Sequence, residues 1–203
     1  MFVFSDILHF NINGVGVYAA QFDETVEVQP VLPPARQQFI ERCSSDLHKR
    51  QSYCVWQLLD YALRERLGYG VDKLNFTVDG NGKWSCEDCG VHFSLSHCAS
   101  VVAVAVAEHP VGIDVEAVDG RRFNARLAQR ILTENERAIY NNVTQAQKPQ
   151  MLAEAWTKKE SLFKRDGGKN FAPSTIDTCE QKVACKTLTF GNKTLVVAVA
   201  FAQ

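Results

Sequence analysis

The chain lacks an excess of either charge: its formal net charge is −1 over 203 residues. That excludes the broad basic field by which a protein draws in nucleic acid, so an anionic partner must be met by a local patch. It also lacks any apolar run near the roughly 20 residues that span a bilayer. A secretory leader is not expected, because the apolar opening Met1–Phe10 has no basic start and is broken by Asp6. Nor are the cysteines paired in number: Cys43, Cys54, Cys86, Cys89, Cys98, Cys179 and Cys185 are seven and scattered, which suits a reducing compartment better than a disulfide framework. Cys86-Glu-Asp-Cys89 has the spacing of half a zinc site, with His92 and His97 nearby, but no second CxxC completes it. A cytoplasmic monomer with no nucleic acid and no membrane partner is expected, and a hydrophobic content of 46% is ample for a core.

What is present reads as alternating β and α segments. Short strands joined at Asn13-Gly14 open the chain, with Val15 and Val17, then Val26 and Val28, in alternation. A helix is predicted to begin near Pro34, and Ser44-Ser45-Asp46 starts a long amphipathic one that stops at Gly68. At its beginning His48, Lys49 and Arg50 form either a phosphate site at a helix N-terminus or a solvated face. Asp79-Gly-Asn-Gly82 predicts a turn. Two strands follow, His92–His97 and Val101–Ala107, and the second is expected to form an antiparallel hairpin with Val111–Glu116 through His109-Pro110. Val101–Ala107 is echoed by Val196–Ala202, which suggests two similar halves meeting near Pro110, unless two Val/Ala-rich strands merely coincide.

Three stretches carry chemistry. In Val111-Gly-Ile-Asp-Val-Glu116 the period of a strand puts Asp114 and Glu116 on one face while Ile113 and Val115 are buried. Two adjacent carboxylates repel unless a cation, an arginine or a shared proton lies between them. In Trp156-Thr-Lys-Lys-Glu-Ser-Leu-Phe-Lys164, helical spacing aligns Trp156, Glu160 and Lys164, with Lys159 at the border of the stripe. If that stripe faces the diacid strand, Glu160 becomes a third carboxylate and the lysines neutralise a polyanion; Mg²⁺ suits such a site, since it takes few carboxylates plus phosphate oxygens and water. Ser96-His97, closing a strand just upstream, offers two neutral donors to a phosphate. Beyond the diacid, Arg122, Arg126 and Arg130 run beside Phe123, Leu127 and Ile131 at helical spacing, as an acidic partner's docking ridge or as a solvated face. Thr133-Glu-Asn-Glu136 has the form of a capping box.

Phe93-Ser-Leu-Ser-His97, Gly112-Ile-Asp-Val-Glu116 and Trp156–Lys164 together resemble the 4′-phosphopantetheinyl transferases, in the two-lobed, single-chain Sfp type. The resemblance implies an α/β (α+β) fold of two pseudo-symmetric halves, residues 1–109 and 110–203, each an antiparallel sheet packed with a long helix, with the active site in the cleft between them. It implies transfer of phosphopantetheine from coenzyme A to a serine of an apo carrier protein, with release of 3′,5′-ADP; a coenzyme A or nucleotide-binding module without catalysis is the alternative. By the same resemblance, Asp114, Glu116 and Glu160 hold Mg²⁺, and Glu160 takes the serine proton. Lys164 touches the pyrophosphate, with Lys159 near the same phosphates or fixing the carboxylates. His97 and Ser96 contact a coenzyme A phosphate, and Lys49 or Arg50 meets the 3′-phosphate. Lys83 belongs to a nucleotide turn in which Trp84 replaces the family's proline. An acidic carrier protein would dock near Arg122, Phe123, Arg126 and Leu127.

Overall fold

The computed structural model describes residues 4–23 and 32–202; the predicted alternation at Val26 and Val28 lies outside them. The fold is α+β, as expected. Strands β1 (Phe4–Ile12) and β2 (Val15–Phe22) form a hairpin whose two turn residues, Asn13 and Gly14, both take positive φ, 51° and 86°. That is the turn whose twist matches paired strands, and Asn-Gly is the pair best suited to it. Helix α1 (Pro34–Glu41) starts on its proline. Helix α2 (Asp46–Leu67) is capped by Ser45, whose hydroxyl accepts from the His48 amide, and ends on left-handed Gly68. The small hairpin β3 (Phe76–Val78) and β4 (Trp84–Cys86) brackets the predicted turn; β5 (His92–Cys98), β6 (Val101–Ala107) and β7 (Val111–Ala117) follow. Then come α3 (Ala125–Ile131), α4 (Glu134–Asn142), α5 (Lys148–Asp166), β8 (Val183–Phe190) and β9 (Lys193–Phe201).

The expected β6–β7 hairpin does not form. Strand β6 pairs with β2 and β5 in the sheet β1-β2-β6-β5, whereas β7 pairs with β9 in a second sheet, β7-β9-β8. Both faces of β6 are apolar because both are buried: Val102, Val104 and Val106 meet Trp56, Leu59 and Leu63 of α2, while Val101, Ala103 and Ala105 meet Ile113, Val115, Val197 and Val199 of the second sheet. A strand buried on two sides gives no alternation from which to choose its partner. Helix α5 covers the far face of the second sheet, packing Leu152 and Ala153 with Val196. The layers therefore run α2, sheet, sheet, α5, and the order β2-β6-β5 around α2 is matched by β7-β9-β8 around α5.

In β7, Ile113 and Val115 are spent on the intersheet core, so Gly112, Asp114 and Glu116 face α5. The close approach needs the glycine: a Cβ on residue 112 would lie 1.9 Å from the Ser161 carbonyl oxygen and 2.5 Å from the Arg165 amide nitrogen of α5. The outer edge of β7 is closed by side chains, not by another strand. Ser94 Oγ accepts the Ile113 amide at 3.0 Å and Ser96 Oγ the Val115 amide at 3.2 Å, which satisfies two buried donors at a sheet edge.

Candidate active site

The site lies where β5, β7 and α5 meet. Lys164, two turns beyond Trp156 on α5, donates to Asp114 Oδ1 at 2.7 Å, and Ser96 Oγ donates to the same oxygen at 2.8 Å. The other oxygen, Asp114 Oδ2, is buried and has no hydrogen-bond partner. Glu160, one turn before Lys164, approaches its ammonium at 3.8 Å. Glu116 is gripped by both terminal nitrogens of Arg122, each at 2.5 Å. Three carboxylates thus share two cations.

Burial, then the Asp114 charge, then Glu160 push Glu116 up to about 7 even with Arg122 opposing. Burial and Asp114 likewise raise Glu160 against Lys164 and Arg122. Burial alone would lower Lys164, but Asp114 and Glu160 outweigh it and raise its pKa. Such mutual repulsion among buried acids marks a place where added positive charge is favourable. Among the described residues, however, no three His, Cys, Asp or Glu side chains converge as a ready metal cage.

Two other expected site residues are committed elsewhere. Lys159 does not reach this cluster: fully buried, it pairs with Glu136 at 2.7 Å and donates to the carbonyls of Pro173 and Ile176. Glu136 closes the predicted capping box at Thr133 and also accepts from Thr178, so it is more than a cap. Although burial opposes ionisation, Lys159 and the Thr178 and Thr133 bonds hold Glu136 below the usual carboxylate range. Breaking such a pair leaves a buried charge uncompensated: Lys159→Met is expected to cost about 3–5 kcal/mol, read as a lowered chemical-denaturation midpoint, whereas removing both partners together should cost less. Lys83 donates to the Arg165 carbonyl at 2.7 Å and Asn81 to that of Gly167 at 2.9 Å, so their turn is clipped to the C-terminus of α5. Lys83, Trp84, Phe93, Phe163 and Lys164 wall a cleft of about 200 Å³ beside the acids.

Ser96 is buried against Asp114 and Lys164, on the opposite side of β5 from His97. His97 keeps contact with solvent, yet desolvation by its surroundings and then the charges of Lys164, His48 and Arg36 pull it down to about 4. A histidine depressed below its unfolded value near 6.5 leaves the unfolded chain with more bound protons between those limits, so its contribution to stability is lost as pH falls from about 6.5 to 4. Thermal melts across pH 7 to 4 should therefore steepen for wild type relative to His97→Gln.

Arg36 was missed in the sequence. It is buried over Trp56 and Trp84, its guanidinium carbon 5.2 and 5.4 Å from their rings, and burial lowers its pKa to about 10. No spacing signal marks it; only the packing of α1 on α2 and β4 brings its charge within reach of His97. Lys49 and Arg50 are half-buried in the first turn and a half of α2. The expected docking ridge is broken. Asn124 caps α3, leaving Arg122 and Phe123 outside the helix, with Arg122 on Glu116 and Phe123 buried; Arg126 alone of the four is exposed and without those ties, and Leu127 is half-buried.

This arrangement of a diacid strand under an acid–lysine helix coincides with a sequence match: residues 110–202 fit the family model of the 4′-phosphopantetheinyl transferase superfamily. Among individual proteins, the chain is 33% identical over 86 residues to the 4′-phosphopantetheinyl transferase gsp of Aneurinibacillus migulanus, covering 42% of this chain and 35% of that one. It is 23% identical over 142 residues to psf-1 of Bacillus pumilus, covering 70% and 60%. To Sfp of Bacillus subtilis it is 26% identical over 132 residues, covering 63% and 58%. The matched stretch is in each case less than two thirds of the relative's length. Among the described residues no helix is long and apolar enough to cross a membrane.

Proposed function

We propose that this chain transfers 4′-phosphopantetheine from coenzyme A to a serine hydroxyl of an apo carrier protein. The observation that carries the reading is the gathering of Asp114, Glu116, Glu160 and Lys164 at one junction, with Asp114 Oδ2 buried and unpartnered. A buried carboxylate oxygen with no donor, among acids that already repel one another, fits a hard divalent cation held by one or two carboxylates and completed by substrate oxygens. Asp114 and Glu116 would hold Mg²⁺, with Glu160 beside them. When bound, the ion would polarise the phosphoryl oxygens and ease departure of the leaving group.

The remaining roles fall to the protein's own groups. Lys164 supplies positive charge to the pyrophosphate, Ser96 orients Asp114, and Glu160, its pKa raised, receives the serine proton. The serine oxygen forms a bond to the β-phosphorus as the bond to the α-phosphate oxygen breaks, and 3′,5′-ADP leaves with that electron pair. Arg36, Lys49 and Arg50 offer positive charge to the nucleotide phosphates, and His97, held down to about 4 and so uncharged at neutral pH, offers a ring N–H. Lys83 shapes the cleft wall through its bond to Arg165. The sheet around α2, residues 1–109, would serve the nucleotide, and the sheet around α5, residues 110–203, the metal and the chemistry, in the cytoplasm and as a monomer. An acidic carrier protein would approach near Arg126.

Purified protein with Mg²⁺, coenzyme A and a panel of apo carrier proteins should add the mass of phosphopantetheine to at least one of them. If coenzyme A binds in calorimetry, indifferent to Mg²⁺, and no carrier gains mass, the chain is a binding module and not a transferase.

A further inference from the structure

We propose that Arg122 is a gate on the metal site, competing with the divalent cation for Glu116. The inference rests on the metal reading above, but not on phosphopantetheine transfer. Arg122 bonds both oxygens of Glu116 in a two-pronged pair, so that while it is seated it occupies a lone pair on each and neutralises the charge that a cation would meet. The guanidinium rests on an aromatic floor, 5.1 Å from the Phe123 ring and 5.7 Å from that of Trp156. It can leave: its side chain is 48% exposed, against 10% for Glu116, and it belongs to the short segment between β7 and α3. Glu116 therefore has two alternative counter-charges, one supplied by the fold and one from solution. A cation taking the charge of Glu116 competes with the arginine, and the metal's affinity is reduced by the work of loosening that pair.

Trp156, beneath the guanidinium, reports the exchange. Mn²⁺ alone, followed by water-proton relaxation, should bind Arg122→Gln about tenfold more tightly than wild type, an order-of-magnitude expectation for a charge-assisted pair. Arg122→Lys, which keeps the charge but not the two-pronged grip, should fall between. Arg121→Gln is the control for charge alone: its side chain is 93% exposed and pairs with Asp119, so its loss should leave the affinity unchanged. Mg²⁺ should shift the Trp156 emission of wild type, a shift absent from Trp156→Phe and from Arg122→Gln. Equal or weaker Mn²⁺ binding by Arg122→Gln, an equal gain in Arg121→Gln, or no binding by either protein overturns the gate. Transfer measured by carrier mass in the presence of coenzyme A is a separate readout, so the gate can fail while the transferase stands.

Discussion

Gly112→Ala is expected to destabilise the protein by at least about 3 kcal/mol, the upper range of ordinary overpacking, because the new methyl group meets backbone and not a side chain that can rotate away. The obstructing atoms are the Ser161 carbonyl oxygen at 1.9 Å and the Arg165 amide nitrogen at 2.5 Å, both fixed in α5. Relief requires α5 to lift from β7 as a unit. For a chain of this size such a loss corresponds to a fall in Tm of about 6–12 °C. Lifting α5 also withdraws Glu160 and Lys164 from Asp114, so whatever folded protein remains should have lost transfer activity out of proportion to its stability. A variant melting within a degree or two of wild type would contradict the contact.

Asp114→Asn should lower kcat for transfer by about three orders of magnitude or more, the scale of losing a charged group that organises a phosphoryl-transfer site, while the protein stays folded. The amide is isosteric, so the Ser96 bond and the packing of β7 survive. What goes is the charge that holds Lys164 and the oxygen at Oδ2 that would meet a cation. Single-turnover transfer to a responsive carrier, with thermal melting alongside, distinguishes the two effects. Near-normal turnover by the variant would remove Asp114 from the mechanism.

The contrast between those two positions shows what could be read from sequence. Asp114 and Glu116 were legible as a pair because a strand's period is fixed by its backbone, and Glu160 with Lys164 because a helix's is. Ser45, Gly68 and Asn13-Gly14 were legible because caps and turns are local chemistry. Partner choice was not: the Val/Ala sequence of β6 looks alike from both sides, and its pairing with β2 and β5 instead of β7 is decided far along the chain. Lys159 is next to Glu160, yet one residue turns a helix by about 100°, and nothing local says that this direction leads to Glu136 and a buried pair. The four-residue spacing of Arg122 with Arg126 suggests a shared helix, but the helix begins only at Ala125, and Asn124, a good cap, is the local signal of that start. Arg36 left no local trace.

The two serines at the edge of β7 also fix a sliding coordinate. Hydroxyls at positions 94 and 96 repeat with the same step as the amides of Ile113 and Val115, so the pair of contacts works like two teeth in two notches. Displacing one sheet along the other by a single residue would bring Phe93 and Leu95 to the edge and leave two buried amides without acceptors. The two sheets are thereby indexed to one another in discrete steps, and Asp114, lying between the two notches, inherits a position along the junction that neither sheet could define by itself.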